Sequence, residues 1–340
     1  MLFPFDDQPE PRLVGIAKLA AEGRILESKR QVEYHELPTR NWINRCVSLR
    51  GVPFVWTINP YRGCEFGCKY CYARYTHEFM ERRGIDDFET EIYAKQWNAP
   101  SFATELRRLD RHESIAVGTA TDPYQPAERR FELTRKMLTV FAKDRGRRIY
   151  LISKSDLIVR DIDLFQQIAA SNALHVTITI TTTDVALARA LEPMAPRPDL
   201  RVRAVQKLAR AGIRVGVNAN PVIPMITDSE ANLDAVAKAA ARAGARSFHG
   251  GLLFLKPCSR RVFFPFLKER FPNLVERYAA RYGKNAYLKG DYVQMIEARV
   301  ATIRKRYGLD KRQLEPTPPQ PDEQLLLYDQ TDNLGESRSG

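Results

Sequence analysis

The chain has 340 residues, of which 44% are hydrophobic and 28% charged, and its net charge is +12. This composition is ordinary for a folded globular protein, which excludes wholesale disorder, and the absence of any run of eighteen apolar residues excludes a membrane-spanning helix. The first residues include acidic side chains and no apolar signal segment, which predicts a cytoplasmic location. The excess of Lys and Arg favours a polyanionic partner such as nucleic acid, although solvated helix faces explain such an excess equally well.

Residues 1–50 are predicted to form an N-terminal extension, with one helix over roughly residues 13–26 and a basic segment after it. From residue 54 the pattern changes, and short apolar β-rich runs alternate with amphipathic helical segments. Six runs are found, at 54–59, 115–118, 149–152, 176–180, 213–217 and 251–255.

The ends of these runs are 28–38 residues apart from the second run onward, which is the spacing of successive βαβ units. We therefore predict an α/β fold, an incomplete and roughly six-stranded (β/α) barrel over residues 51–258. An open doubly wound sheet is the alternative, disfavoured because the chain lacks a Gly-x-Gly-x-x-Gly sequence. Polar residues follow each run, and we expect them to line one rim, since ligands bind at the carboxyl ends of parallel strands.

Three cysteines follow the first run, at positions 64, 68 and 71, with Gly63 and Gly67 among them. Thiols this close in sequence can converge on one metal centre. An iron–sulfur cluster is typically held by thiolates alone, whereas a structural zinc ion usually has four protein ligands. Three cysteines leave one corner of a four-iron cluster open, and an open corner can bind a substrate or a cofactor.

Two other metal centres are compatible with these residues. His77, six residues after the last cysteine, would complete a zinc site, and the chain would then be a zinc-stabilised nucleic-acid-binding protein without radical chemistry. Alternatively, Cys46 or Cys258 would supply a fourth thiolate and make the chain a simple electron carrier. For Cys46 the favoured interpretation is an ordinary structural thiol.

The spacing Cys-x3-Cys-x2-Cys, with the aromatic Tyr70 before the last cysteine, resembles the signature of the radical S-adenosylmethionine (radical SAM) superfamily. The resemblance implies a barrel of the radical SAM type and a [4Fe-4S] cluster held by Cys64, Cys68 and Cys71. It implies that SAM binds the open iron and is cleaved reductively to a 5'-deoxyadenosyl radical, which abstracts hydrogen from a substrate. An electron donor such as flavodoxin or ferredoxin would then be a partner.

Residues 118–126 read Gly-Thr-Ala-Thr-Asp-Pro-Tyr-Gln-Pro and resemble the spore photoproduct lyase-like branch of this superfamily. The likeness implies a set of residues that bind SAM, namely Thr119, Thr121, Asp122, Lys154, Thr179 and Asn218. The lyase has a hydrogen-donating cysteine where this chain has Thr119, whose O–H is a far poorer donor, so repair of the spore photoproduct itself is not implied. Cys258 is an alternative hydrogen donor, and nucleic acid is the substrate hypothesis.

Residues 259–312 are predicted to form a basic helical extension, whose tyrosines are expected in the core rather than stacked on bases. Residues 313–340 are predicted to be a Pro-rich linker followed by an acidic, flexible tail.

Overall fold

The computed structural model describes residues 13–29, 31–46, 54–283 and 285–310. Within these ranges the strands are β1 (Ile25–Lys29), β2 (Val32–Leu37), β3 (Ile43–Arg45), β4 (Trp56–Ile58), β5 (Tyr61–Arg62), β6 (Glu91–Lys95), β7 (Ser114–Val117), β8 (Arg148–Ser153), β9 (Ala173–Thr179), β10 (Val215–Asn218) and β11 (Phe248–His249). The helices are α1 (Gly15–Ala21), α2 (Tyr75–Glu78), α3 (Asp87–Thr90), α4 (Ala99–Arg107), α5 (Glu128–Phe131), α6 (Leu133–Phe141), α7 (Ile162–Ser171), α8 (Val185–Leu191), α9 (Pro198–Arg210), α10 (Glu230–Arg242), α11 (Pro257–Arg270), α12 (Val275–Tyr282) and α13 (Asp291–Arg306).

The larger sheet has the strand order β11-β10-β9-β8-β7-β4-β3. Six of its strands, β4 and β7 to β11, are parallel and follow one another in chain order, whereas β3 is antiparallel to β4 at one edge. Helices separate the successive parallel strands along the chain. This confirms the predicted α/β class and five of the six predicted parallel strands.

The parallel strands are strongly apolar because they are buried in the main core. All four residues of β7 are buried, and in β10 the side chains of Val215 and Val217 are at most 1% exposed. Strands covered on both faces have near-continuous apolar sequences of this kind. Helix residues such as Phe165 and Leu208 complete the same core.

The prediction of a sixth strand at residues 251–255 is wrong. The sixth strand is β11, which ends at His249, and the predicted run contributes one isolated bridge, between Leu252 and Val222. Leu253 and Leu255 are buried instead in a second core that the C-terminal helices share. The apolar pattern of this run therefore reflects packing against helices rather than sheet pairing.

The prediction for the N-terminal extension is only partly correct. Helix α1 ends at Ala21 rather than near residue 26, and strands follow it. The chain passes from helix to strand at Gly23. Only glycine fits there, because a Cβ atom would lie 2.3 Å from the backbone oxygen of Glu36 on β2. A second sheet has the order β1-β2-β6-β5, and none of its four strands was predicted.

The C-terminal helices α11 to α13 confirm the predicted helical extension, and its Tyr278 and Tyr282 are fully buried, as expected for core residues. The predicted boundary between residues 258 and 259 falls inside the first turn of α11. The predicted linker and tail at 313–340 lie outside the described residues. Among the described residues, none of the helices combines the length and the apolar character needed to cross a bilayer.

Candidate active site

The three cysteines lie in a loop between β5 and a short 3-10 turn at Tyr72–Arg74, which we call the cysteine loop (residues 63–71). Gly63 opens it with a φ of +81°, and a Cβ atom there would lie 2.8 Å from the Glu91 oxygen. Within the loop, the Cys71 N–H donates to the Cys68 oxygen at 3.1 Å. The side chains of Cys64 and Cys68 are buried in the second core.

The thiols share a low-dielectric environment. Burial is the main cause that raises the pKa of Cys64, Cys68 and Cys71, and for Cys68 it raises the pKa to about 12. Cys68 and Cys71 also raise the pKa of Cys64, and Cys71 raises the pKa of Cys68. Neighbouring cations lower the pKa of Cys68 and Cys71. For Cys68 the largest such effect comes from Lys154. A metal centre bound here must therefore displace thiol protons, as thiolate ligands require.

Residues of the 118–126 segment hold the cysteine loop in place. Thr121 Oγ1 donates to the Gly63 oxygen at 2.6 Å, and Gln125 Nε2 donates to the same oxygen at 3.0 Å. Gln125 Oε1 accepts from the Glu65 N–H at 3.0 Å, and Glu65 Oε1 accepts from the Ala127 N–H at 2.8 Å. Gln125 is fully buried. The segment that resembles the lyase branch therefore fixes the position of the cysteine loop.

Asp122 joins the ends of β7 and β8. Its Oδ1 accepts from Ser153 Oγ at 2.7 Å and from the Tyr124 N–H at 2.9 Å, and its Oδ2 accepts from the Lys154 N–H at 2.6 Å. Burial raises the pKa of this carboxyl, and the three hydrogen bonds oppose the rise. Asp122 thus connects two segments in which SAM-binding residues are predicted.

The other predicted SAM contacts also lie where parallel strands end. Thr119 Oγ1 accepts from Asn59 Nδ2 at 3.2 Å. Thr179 is buried at the end of β9, and its carbonyl accepts from Arg201 Nη1 at 3.2 Å. Asn218 ends β10, and its buried Oδ1 has no hydrogen-bond partner in the described part of the chain. Asn218 therefore offers a free acceptor to a ligand.

Cys258 lies beside the cysteine loop, at the start of α11. Its Sγ is 3.9 Å from the Tyr72 oxygen, and the adjacent Ser259 Oγ donates to the Cys71 oxygen at 2.9 Å. Cys46 directly follows β3, and its N–H donates to the Val55 oxygen at 2.7 Å.

His77 occupies an apolar position behind the loop. Its Nε2 is 2.9 Å from the Glu91 carbonyl oxygen, and its ring packs edge-on against Phe88 and Tyr93. Burial lowers the pKa of His77 to about 4.

Among the described residues, no three His, Cys, Asp or Glu side chains are grouped closely enough to bind one ion. The three cysteines of the cysteine loop supply thiol ligands alone, which is the donor set that iron–sulfur clusters typically take.

Aromatic side chains border the cysteine loop and form what we call the rim aromatic surface, comprising Tyr72, Tyr75, Phe254 and Tyr287, with Lys256. Lys256 Nζ lies 3.5 Å from the ring centroid of Tyr75, and Phe254 stacks on Tyr287 with centroids 4.0 Å apart. Tyr72, directly after the last cysteine, is 40% exposed. Sequence reasoning missed this surface because its members come from three distant segments. The prediction that the tyrosines of the C-terminal extension lie in the core is wrong for Tyr287, which is only half-buried.

The sheet has six parallel strands, and a buried loop after the first of them carries three thiols. This combination defines a class of cofactor-dependent enzymes that hold a metal cluster. The sequence model of the radical SAM superfamily matches residues 58–236. This chain belongs to the radical SAM superfamily, whose members use a [4Fe-4S] cluster and SAM.

Two curated proteins and a solved structure are similar to this chain. An uncharacterized protein of Mycobacterium tuberculosis is 33% identical over 87% of this chain and 86% of its own length. An uncharacterized protein of Methanocaldococcus jannaschii is 30% identical over 52% of this chain and 63% of its own. A structure of spore photoproduct lyase complexed with dinucleoside spore photoproduct has a TM-score of 0.61, at 16% identity over 81% of this chain and 79% of that chain. The predicted likeness in fold to the lyase is confirmed.

Proposed function

We propose that this chain is a radical SAM enzyme in which Cys64, Cys68 and Cys71 hold the cluster and a 5'-deoxyadenosyl radical abstracts hydrogen from the substrate. The observation that carries the proposal is the buried cysteine loop, whose backbone at Gly63 and Glu65 is held by long-range hydrogen bonds with Thr121 and Gln125. Three protein thiolates leave one iron open for SAM. When bound, the reduced cluster supplies the electron that splits SAM.

The surrounding residues support a SAM site at the ends of the parallel strands. Asn218 offers a buried acceptor, and the Lys154 ammonium lies 5.8 Å from the ring centroid of Tyr70, within the cysteine loop. We assign Lys154 to the SAM carboxylate or ribose, with Thr119, Thr179 and Asn218 as further contacts. Thr121 and Asp122 act by holding the loops, and flavodoxin or ferredoxin is the proposed electron donor.

Anaerobic purification followed by iron and sulfide analysis tests the cluster. We expect about four irons per chain, and 5'-deoxyadenosine after addition of SAM and dithionite, both lost in Cys68→Ala. His77→Ala is the discriminating variant, since a zinc site would need His77 whereas the radical enzyme keeps its cluster without it. Stoichiometric zinc, no sulfide and no cleavage of SAM would refute the proposal.

We propose nucleic acid as the substrate class, on the strength of the rim aromatic surface beside the cysteine loop. Aromatic rings stack on bases of any sequence, and a neighbouring ammonium attracts the phosphate backbone. Phe254 and Lys256 supply these two features, and a net charge of +12 strengthens the attraction. The solved lyase complex contains a dinucleoside, a ligand of the same chemical class.

Fluorescence anisotropy with short single-stranded DNA and RNA at low salt tests the substrate class. Phe254→Ala is expected to weaken binding about fivefold or more, since stacking contributes roughly 1–3 kcal/mol per base. Lys256→Met is expected to weaken binding and to reduce its salt dependence, whereas the exposed Lys238→Met, on α10, serves as the matched control. Failure to bind either nucleic acid at low salt would refute a nucleic-acid substrate.

A further inference from the structure

A buried ion pair lies behind the cysteine loop and has no role in the function proposed above. Arg201 Nη2 is 2.5 Å from Glu192 Oε2, and both residues are only 1% exposed. Removing two charges from water costs several kcal/mol each, so replacing such a pair with apolar residues is often neutral or stabilising. Stability alone is therefore a weak explanation for this pair.

Glu192 is bound directly to the cysteine loop. Its Oε1 accepts hydrogen bonds from Tyr70 OH and, at 3.3 Å, from Thr181 Oγ1. The backbone beside it makes two more contacts with the loop, from the Lys69 N–H to the Leu191 oxygen at 2.9 Å and from the Met194 N–H to the Phe66 oxygen at 3.3 Å. The segment at the end of α8 and after it therefore holds the part of the cysteine loop from Phe66 to Tyr70 in place.

Arg201 carries the connection to the ends of the strands. Its Nη1 donates to the Thr179 oxygen at the end of β9, and its Nε donates to the Pro196 oxygen at 2.7 Å. The ion pair thus holds the cysteine loop and the proposed SAM contact at β9 in one rigid arrangement.

The charges near Cys68 are unequal. Lys154 Nζ lies 5.8 Å from the Tyr70 ring centroid, Glu192 accepts a hydrogen bond from Tyr70 OH, and Arg201 pairs with Glu192, so two cations and one anion surround the residue two positions after Cys68. In agreement, both cations lower the pKa of Cys68 and Glu192 raises it. Their sum is one positive charge in a water-poor environment, where charges interact strongly. A cation beside an iron–sulfur cluster favours its reduced form, whereas an anion favours its oxidised form.

We propose that Glu192 and Arg201 are positioning residues that orient Tyr70 and the cysteine loop and that, with Lys154, set the reduction potential of the cluster. The inference rests on the proposed function, because it requires a cluster on the three cysteines. Glu192 lowers the potential, and Arg201 raises it.

Redox titration with dithionite, followed by electron paramagnetic resonance (EPR), tests this inference on the anaerobically purified full-length protein without SAM. Glu192→Gln keeps the shape and an acceptor for Tyr70, so the potential should shift upward. Arg201→Gln should shift it downward. Asp199→Asn is the matched control. Asp199 also pairs with an arginine, Arg197 at 2.9 Å, but this ion pair lies at the surface. It should leave the potential unchanged.

Shifts of opposite sign support the electrostatic role. Shifts of the same sign, or values equal to those of Asp199→Asn, would overturn it while the wild-type cluster and SAM cleavage remain intact. The absence of a cluster from the wild type would instead refute the proposed function.

Tyr70→Phe tests the positioning role without changing any charge or any ion pair. It removes the hydrogen bond to Glu192 and keeps the ring, so the protein is expected to fold even where the charge variants do not. We expect an altered EPR line shape and roughly tenfold faster release of iron to a chelator. An unchanged spectrum and an unchanged release rate would overturn the positioning role.

Discussion

The hydrogen bonds of Gln125 predict a specific weakness of the cysteine loop. Gln125→Leu keeps the approximate shape of a fully buried side chain but removes every polar contact that it makes. Those contacts are two bonds donated by Nε2, to Gly63 at 3.0 Å and to Thr121 Oγ1 at 2.9 Å, and one accepted from Glu65 at 3.0 Å. The substitution should destabilise the protein and loosen the cluster site together.

The expected magnitude comes from these three bonds. A typical hydrogen bond contributes about 1 kcal/mol net, and a buried donor that loses its acceptor costs about 1–3 kcal/mol. The Gly63 oxygen keeps its bond from Thr121, so the main loss is the acceptor of the Glu65 N–H. Together these effects predict a loss of about 2–4 kcal/mol in the free energy of unfolding.

Urea unfolding followed by circular dichroism measures the loss, and iron analysis after anaerobic reconstitution measures the effect on the site. Gln166→Leu is the matched control, since Gln166 is exposed on α7 and donates one bond, to the Ala211 oxygen at 3.0 Å. It should change stability by less than about 0.5 kcal/mol. If Gln125→Leu were as stable as this control and took up full iron, the reasoning about the cysteine loop would be refuted.

Three further predictions concern single residues. Burial is the main cause that lowers the pKa of Lys95 from 10.5 to about 7. The destabilisation caused by burying this ammonium group is therefore absent above pH 10.5, grows as the pH falls and is complete below pH 7. Lys95→Met should therefore stabilise the protein by up to about 4–5 kcal/mol at pH 6 and by little near pH 10, as urea unfolding at each pH would show; a gain independent of pH would contradict this. Gly63→Ala should lower the free energy of unfolding by about 3 kcal/mol or more, because it combines a positive φ with a backbone clash. Gly212 has the same φ of +81° in open space, so Gly212→Ala should cost only about 1–2 kcal/mol. Equal losses in thermal unfolding would disprove the clash. Asn98→Ala should cost about 1 kcal/mol by removing the cap at the start of α4, a loss that calorimetry can detect and that should be independent of iron loading.

The sequence by itself determined the class of this protein. The spacing of Cys64, Cys68 and Cys71, the aromatic Tyr70 and the glycines around them are local features, and they identify the superfamily without any fold. Five of the six parallel strands were also predictable, because strands buried on both faces are short apolar runs at regular intervals.

Only the tertiary structure decided how the site is held. The Tyr70–Glu192 bond joins residues 122 positions apart, and the bond between Gln125 and Glu65 joins residues 60 apart. No local periodicity encodes such pairs, since each side chain is compatible with many partners until the fold brings one of them close. The sheet that pairs β2 with β6, and the true sixth strand β11, were missed for the same reason. Periodicity records that a residue is buried, but the fold decides what it is buried against.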